Sequence, residues 1–159
     1  MKPVGVIRAA CREDVKELAA LSQASMRYSW SEQDFAEALT YSQAKVYLCE
    51  QDGQVLGYAI LYHAADQGDV PSIAVRHSAR RQRVGSRLLE HVFGEAYTLG
   101  VRKLFLEVRD SNDAAQRLYE TMGFLRISVR KGFYDQPRED AVVMMRILQK
   151  PDDRRIEVE

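Results

Sequence analysis

Residues 72–124 read SIAVRHSARRQRVGSRLLEHVFGEAYTLGVRKLFLEVRDSNDAAQRLYETMGF and alternate between strand-like and helix-like patterns. SIAV predicts a strand, and VRKLFLEVRD predicts another because apolar residues alternate along it. Val84–Leu99 predicts a helix ended by Gly100, and Asn112–Met122 predicts a short helix ended by Gly123. The longer helix repeats apolar residues on one face: Val84, Leu88, Leu89, Val92, Phe93 and Ala96. This order of elements predicts an α/β domain.

Upstream of this stretch, the sequence predicts one strand followed by two helices. PVGVIRAA predicts the strand, and Arg12–Ser25 predicts the first helix. YSWSEQDFAEAL has the features of a helix start, with Ser31 as the cap, Asp34 at the third position, and Trp30 and Phe35 as a hydrophobic staple. The joint SMRYSW between the helices therefore exposes Tyr28 and part of Trp30.

The remaining segments predict strands only. KVYLCEQDGQVLGYAILYH predicts a hairpin that turns at Asp52-Gly53. DVPSIAV predicts the next strand, with an edge, bulge or splayed end near Pro71, which lacks an N–H donor. FLRISVR and AVVMMRIL predict the last two strands, joined by a long polar loop, KGFYDQPRED. The complete predicted order is β-α-α-β-β-β-α-β-α-β-β.

The composition fits one globular domain. The chain has 159 residues, of which 46% are hydrophobic and 29% are charged, and its formal net charge is +0. We expect a single domain over residues 1–149 and a flexible charged tail over residues 150–159. A net charge of zero disfavours bulk nucleic-acid binding, so any basic site is local. The sequence does not define the oligomeric state, and a monomer is favoured.

The sequence predicts neither a membrane segment nor a metal site. No apolar run approaches the length of a membrane span, and MKPVGVIRAACRED lacks a signal-peptide core. Two cysteines, Cys11 and Cys49, are too few for a disulfide framework, and the three histidines lack metal-ligand spacing. We therefore expect a reduced, cytoplasmic location, with no membrane and no metal.

A cluster of basic residues precedes the longer helix. The N-terminus of a helix offers unpaired N–H groups and a partial positive charge, which together favour an anion such as phosphate. Arginines add charge-assisted bonds to phosphate oxygens, and Gly85 permits close approach of a ligand. A pyrophosphate is a good candidate ligand, whereas a solvated basic turn or a nucleic-acid patch are the alternatives. Neither the dinucleotide fingerprint nor a P-loop is present.

Taken together, residues 72–124 resemble the core of the GNAT N-acetyltransferases. That family has the signature (Gln/Arg)-x-x-Gly-x-(Gly/Ala) at this helix start, and the next helix follows an Asn and contains Leu-Tyr-Glu-x-x-Gly-Phe, matched here by Asn112 and LYETMGF. Within the family, YSWSEQDF, IAV, LEVRDSNDAAQRLYE, GFY and REDAVVM are similar to segments of bacterial ribosomal-protein alanine N-acetyltransferases (RimI type). The likeness spans about Val6 to Leu148. It implies a mixed, mostly antiparallel sheet of about seven strands, splayed near the fourth and fifth and flanked by about four helices.

The resemblance implies acetyl-CoA as co-substrate. The backbone of Ile73, Ala74 and Val75 would pair with the pantetheine arm, and Asn112 would bond the cofactor further along. The pyrophosphate would lie on the backbone amides from Arg81 to Ser86, with charge added by Arg80; the full set is Arg80, Arg81, Gln82, Arg83, Val84, Gly85 and Ser86.

Two residues depart from the family pattern. Arg83 replaces the first signature glycine, and Ser72 stands where the subgroup often has Asn. A right-handed helical Arg83 would be unstrained, whereas a positive φ would strain it.

Two side chains suit the proton transfers that acetylation of an amine requires. Glu107 lies at the end of a strand, opposite Leu104 and Leu106, and Tyr119 follows in the next helix. Glu107 suits a general base and Tyr119 a general acid toward the CoA sulfur, and the resemblance assigns the same roles. The alternatives are a Glu107 paired with Lys103 or Arg109 and a Tyr119 that only packs. A backbone N–H near Ala74 or Val75 would stabilise the oxyanion.

The acceptor groove is expected to involve Trp30, Ser31 and Tyr134. Acidic residues near them suit a basic peptide, or serve solubility only: Glu32, Asp34, Asp135, Glu139 and Asp140. An α-amine, with a pKa of about 7.7–8.0, is easier to deprotonate than a lysine at about 10.4. The expected substrate is a protein N-terminus, the N-terminal alanine of a small-subunit ribosomal protein. The alternatives are a lysine or small amine, and a non-catalytic acyl-CoA-binding module.

Overall fold

The secondary structure follows the predicted order. The computed structural model describes residues 3–26, 29–135 and 137–150. Its strands are β1 (Val6–Ala9), β2 (Ala44–Gln51), β3 (Gln54–Ala64), β4 (Gln67–Val75), β5 (Lys103–Arg109), β6 (Leu125–Tyr134) and β7 (Glu139–Ile147). Its α-helices are α1 (Val15–Ser25), α2 (Glu32–Thr40), α3 (Val84–Thr98) and α4 (Asp113–Thr121). Short 3-10 turns at Arg12–Asp14 and His77–Ala79 precede α1 and α3.

The strands form one sheet in the order β1-β2-β3-β4-β5-β7-β6. The pairs β1–β2, β2–β3, β5–β7 and β6–β7 are antiparallel, whereas β4 and β5 run parallel. The parallel ladder covers only Gln67–Asp69 against Lys103–Phe105 and stops two residues before Pro71. Because proline cannot donate to a ladder, the end of pairing there has a local cause. The predicted mixed sheet, splayed between its fourth and fifth strands, is confirmed.

The chain divides into two compact units. The first comprises Met1–Tyr62 with Ser72–Phe93, and the second comprises His63–Pro71 with Gly94–Glu159. In the first unit, apolar residues of α1, α2, β2 and β3 form the core, among them Leu18, Leu21, Phe35, Val46, Leu48, Tyr58 and Ile60. In the second unit, the predicted apolar side of β5 is buried, with Leu104, Leu106 and Val108 each at most 6% exposed.

The start of α2 forms as predicted. The Ser31 hydroxyl accepts the N–H of Asp34 (3.0 Å), and the Asp34 carboxylate accepts the N–H of Ser31 (2.9 Å), which completes a capping box. The rings of Trp30 and Phe35 lie 5.6 Å apart and form the hydrophobic staple. These contacts fix Trp30 at the joint between α1 and α2. Tyr28, the other aromatic residue of that joint, lies outside the described residues.

The helix α4 buries a polar side chain. Gln116 is only 5% exposed, whereas Leu118 is 36% exposed. The Gln116 amide donates to the carbonyls of Arg109 (3.1 Å) and Asp110 (3.0 Å), where β5 ends. The backbone at the end of β5 needs donors, so a polar side chain occupies the place expected for an apolar one.

The prediction of a long loop after β6 is wrong. β6 continues to Tyr134 and β7 begins at Glu139, so residues 135–138 alone connect them. The register shifts between Arg130 and Tyr134, and Gly132 has a φ of 62° within that shift. A bulge of this kind lets a Gly-containing segment stay in the sheet while it bends.

Two further expectations concern a membrane segment and the C-terminal tail. No helix in the described ranges is both long and apolar enough to cross a membrane. From residue 151 onward, the predicted charged tail lies outside the described residues.

Candidate active site

The turn into α3 presents a run of unsatisfied backbone donors. Arg81 and Arg83 have φ values of 63° and 64°. The first N–H to bond across the turn is that of Arg87, which donates to the Arg83 carbonyl at 3.0 Å. Within the described part of the chain, the N–H groups of residues 81–86 have no protein acceptor. Amides left free in a turn with alternating backbone conformations form an anion-binding concavity, here at a helix N-terminus.

The conformation of Arg83 explains why the family signature has glycine at this position. Of the two alternatives that the sequence left open, the strained one holds, because a φ of 64° lies in the left-handed region. The cradle therefore forms with arginine in place of glycine, at a conformational cost. The Arg83 guanidinium is largely exposed and lies 3.9 Å from Glu90, a weak surface contact.

Gly85 is not required by the packing of the protein itself. A Cβ atom built there would meet only Cγ2 of Val75, at an ordinary contact distance of 3.5 Å. Gly57 on β3 is different, because a Cβ there would lie 2.9 Å from the Ala74 carbonyl oxygen. Gly57 thus lets the Ile73–Val75 segment lie close to β3, whereas Gly85 leaves open space above the cradle. Both features fit a bulky phosphorylated ligand along β4 and the α3 turn.

A buried polar cluster connects the joint between α1 and α2 with β4. The Tyr58 hydroxyl lies 3.0 Å from Ser22 Oγ and 2.7 Å from Ser72 Oγ. Ser22 Oγ also accepts the N–H of Trp30 (2.8 Å), and Ser72 Oγ donates to the sulfur of Met26 (3.3 Å). This cluster was not predicted, although Ser22 falls on the apolar stripe of α1, seven residues after Val15. A serine at such a position signals a buried hydroxyl that needs a partner.

An aromatic and acidic groove of about 630 Å³ adjoins the joint between α1 and α2. It is lined by Ser29, Trp30, Asp34, Glu37, Ala38, Tyr41 and Tyr62. Burial, followed by the charge of Asp34, raises the pKa of Tyr62. Of the two residues predicted here for substrate binding, Trp30 lines the groove, whereas the Ser31 hydroxyl is engaged in capping α2.

Glu107 forms an ion pair with Arg130, a partner that was not predicted. Its Oε2 accepts a hydrogen bond from Arg130 on β6 at 2.9 Å. The predicted alternative partner Arg109 is engaged elsewhere, since it bonds the Glu139 carboxylate at 3.1 Å and lies over the ring of Tyr134 at 4.3 Å. Glu107 therefore remains on the open side of the sheet in the second unit, with about a third of its side chain exposed.

Tyr119 holds its proton firmly. Burial, with a smaller contribution from Tyr134, raises the pKa of Tyr119 to about 12. Its ring packs edge-on against Phe124, with 5.9 Å between the centroids. Burial also raises the pKa of Tyr134, and the charge of Glu107 adds to that rise. Tyr134 is thus within electrostatic reach of both predicted catalytic side chains.

The turn that carries Asn112 is tied to the start of β7. The Asn112 side-chain carbonyl caps α4 by accepting the N–H of Ala115 (3.1 Å), so its amide NH₂ is the group that can contact a cofactor. The Glu139 carboxylate accepts the N–H of Ser111 and the Arg109 guanidinium. Glu139 is one of the acidic residues that were expected to suit a basic peptide or to serve solubility. In the structure its carboxylate joins the start of β7 to the end of β5 and the turn that follows it.

Other predicted acidic residues are also engaged within the protein. The Asp140 carboxylate accepts the N–H of Gly132 (2.8 Å), and that of Asp34 accepts the N–H of Ser31. Within residues 3–26, 29–135 and 137–150, no three His, Cys, Asp or Glu side chains form a group that could hold a metal ion.

The predicted site residues thus fall into two groups, each assembled within one compact unit. The first unit holds the anion cradle, the Ile73–Val75 strand segment and the groove beside Trp30. The second unit holds Glu107, Asn112, Tyr119 and Tyr134.

Comparisons with known proteins identify the family of this chain. The model of the acetyltransferase (GNAT) family matches residues 15–124. The [ribosomal protein bS18]-alanine N-acetyltransferase of Escherichia coli K12 is 37% identical over 129 residues, which cover 78% of this chain and 84% of that enzyme. The enzyme of the same name from Haemophilus ducreyi is 32% identical over 146 residues, covering 87% and 97% of the two chains.

Solved structures show the same relationship. The crystal structure of the ribosomal-protein-S18-alanine N-acetyltransferase from Escherichia coli superposes with a TM-score of 0.84 at 31% identity, covering 94% of this chain and 98% of that one. A GNAT acetyltransferase from Elizabethkingia anophelis, solved with acetyl-CoA bound, superposes with a TM-score of 0.76 at 21% identity, covering 92% and 100%. The family and fold predicted from the sequence are therefore confirmed. The chain belongs to the GNAT family of acetyltransferases, enzymes that take their acetyl group from acetyl-CoA.

Proposed function

We propose that this chain acetylates the N-terminal α-amine of a protein, and that its substrate is the N-terminal alanine of a small-subunit ribosomal protein. The observation that carries the proposal is the identity of 37% with the Escherichia coli enzyme of that activity, over 84% of that enzyme. The substrate places the reaction in the cytoplasm.

The anion cradle supports the proposed cofactor contacts. The free amides of residues 81–86 would hold the pyrophosphate, and Arg80 would add positive charge beside it. The backbone of Ile73–Val75 would align the pantetheine arm, and the Asn112 amide would contact it further along. When bound, acetyl-CoA supplies an acetyl thioester that an amine can attack directly.

Glu107 and Tyr119 divide the proton transfers between them. Glu107, directly or through one water, takes the proton that the substrate ammonium must lose before it can attack. Tyr119 keeps its proton at neutral pH, since its pKa is raised to about 12, and donates to the sulfur as negative charge develops there. A backbone N–H near Ala74 or Val75 would stabilise the oxyanion.

The acceptor groove suits a cationic peptide end. Trp30 and Tyr62 supply apolar contact, and the carboxylates of Asp34 and Glu37 supply negative charge. Freeing a lysine amine at neutral pH costs about 3.5 kcal/mol more than freeing an α-amine, so one carboxylate matches an N-terminus more easily.

A panel of peptides with different N-terminal residues tests the proposal, with acetyl transfer read by mass spectrometry. We expect turnover of Ala-starting peptides, and we expect Glu107→Gln and Tyr119→Phe to lower kcat by roughly 10²-fold or more. Turnover of free amines or lysines without Ala-starting peptides would support the alternative GNAT substrate class. Acetyl-CoA binding without turnover of any amine would support the non-catalytic module.

A further inference from the structure

Arg130, which lies two strands away in the sheet, bonds the carboxylate of Glu107. Glu107 on β5 pairs with Val143 on β7, and Val143 pairs with Ser128 on β6. Neighbouring strands lie about 4.8 Å apart, so β5 and β6 are separated by roughly 10 Å. The Arg130 side chain crosses this distance and places its guanidinium 2.9 Å from Glu107 Oε2. Its opposite residue on β7 is the small, buried Ala141.

This ion pair engages one oxygen of the carboxylate and leaves the other available. Among the described residues, Oε1 of Glu107 has no hydrogen bond. The Arg130 side chain is 58% exposed and that of Glu107 is 31% exposed. Exposed pairs of this kind contribute little to folding stability, so a contribution to the orientation of the carboxylate is the more consequential effect.

A second carboxylate faces the same pair. Asp69 on β4 pairs with Phe105 and lies on the same side of the sheet as Glu107. Burial raises the pKa of Asp69, the charge of Glu107 raises it further, and the charge of Arg130 lowers it. The charged or titratable groups near Glu107 include Asp69 from β4, Lys103 and Arg109 from the same side of β5, and Arg130 and Tyr134 from β6. The residue opposite Glu107 on β7 is the apolar Val143.

We propose that Arg130 is a positioning residue for the general base: it holds the Glu107 carboxylate across β7 with Oε1 left for the substrate amine. This inference rests on the proposed role of Glu107. Without the bond from Arg130, the Glu107 side chain samples several rotamers, and only some of them direct a carboxylate oxygen toward the amine.

The test compares the kcat and KM of four variants with those of the wild type in peptide acetylation. They are Arg130→Gln, Glu107→Gln, the double variant, and the matched control Arg126→Gln, which removes another β6 arginine whose partner is Asp110. We expect Arg130→Gln to lower kcat about tenfold, with the KM for acetyl-CoA unchanged. The control should retain wild-type kinetics.

The double variant separates positioning from a general structural effect. If Arg130 acts through Glu107, adding Arg130→Gln to Glu107→Gln causes no further loss. Losses that multiply, or a raised KM with an unchanged kcat, would overturn the inference. Should Arg130→Gln fold poorly by its Tm, Arg130→Lys replaces it; this variant keeps a cationic donor and should recover part of the kcat.

The outcomes distinguish this inference from the proposed function. Wild-type activity of Glu107→Gln would show that Glu107 is not the general base. A slow Glu107→Gln together with a fully active Arg130→Gln would overturn only the role of Arg130.

Discussion

Arg83 occupies a backbone conformation that glycine adopts more easily than arginine. Its φ of 64° costs an L-residue about 1–2 kcal/mol, and the neighbouring Arg81, at 63°, bears a similar cost. The free amides of the cradle depend on this conformation. A strained residue beside unsatisfied donors is typical of a binding site, where the ligand supplies the missing hydrogen-bond partners.

Substitutions of Arg83 therefore distinguish the contribution of its backbone from that of its guanidinium. Arg83→Gly relieves the strain, and after the entropic cost of glycine it should change the free energy of unfolding by between zero and about 1 kcal/mol in the stabilising direction. Arg83→Ala removes the same guanidinium but keeps the strain, so it is the matched control. We expect both to retain acetyl-CoA affinity within about threefold by calorimetry, because the backbone amides hold the anion. A large, equal loss in both variants would show that the guanidinium is itself a phosphate ligand.

Tyr119 links the chemistry of the site to stability at alkaline pH. Its pKa is raised to about 12 in the folded protein, against about 10 in an unfolded chain. The stabilisation of the neutral phenol is complete below pH 10 and is lost as pH rises toward 12, because the unfolded state ionises first. The loss amounts to roughly 2–3 kcal/mol.

Denaturant unfolding at several alkaline pH values tests this prediction. The free energy of unfolding of the wild type should fall more steeply between about pH 10 and 12 than that of Tyr119→Phe, which has no phenol to ionise. Parallel curves for the two proteins would contradict the raised pKa.

At the scale of elements, the joint between α1 and α2 depends on a buried hydroxyl cluster. Tyr58 on β3 joins Ser22 on α1 to Ser72 on β4, and Ser22 holds the backbone of Trp30. Tyr58→Phe leaves the two serines with fewer partners in a buried setting. We expect a loss of about 1–2 kcal/mol of stability and a higher KM for the peptide.

Tyr41→Phe provides the comparison for Tyr58→Phe, since Tyr41 is 55% exposed and loses a hydroxyl with solvent access. Chemical denaturation should separate the two variants. Equal stabilities would indicate that the buried cluster contributes nothing.

The same elements show how far local sequence specifies the structure. The capping box of Ser31 and Asp34 and the turn at Asp52-Gly53 involve residues close together in sequence, and both were predicted correctly. The burial of Gln116 and the pairing of Glu107 with Arg130 were not predicted. Each depends on a partner contributed by another element, at a distance set by strand order and register.

The site was predictable to the same degree. Trp30 lines the groove beside the joint between α1 and α2. The turn into α3 has backbone N–H groups without a protein acceptor among the described residues, as its sequence motif indicated. Of the acidic residues expected near the groove, Asp34 lines it. Glu139 instead bonds Ser111, which is distant in sequence, and this contact could not be predicted from local motifs. The length of the β6–β7 connection was missed because the bulge at Gly132 keeps polar residues within the strand.

For the whole molecule, a formal net charge of +0 accompanies locally concentrated charge. Basic residues cluster at the α3 turn, and carboxylates line the groove beside Trp30. This distribution suits an anionic cofactor and a cationic peptide end. Because the net charge is +0, contacts within the site must select the amine that is acetylated, rather than the overall electrostatic field of the protein.

Acetylation of a single peptide that begins with alanine and carries an internal lysine tests that selection directly. The modified position can be read by tandem mass spectrometry after incubation with acetyl-CoA. The account predicts that the acetyl group is on the N-terminal α-amine, with the lysine unmodified and with the product greatly reduced for Glu107→Gln. Acetylation of the lysine, or an unchanged yield from Glu107→Gln, would contradict it.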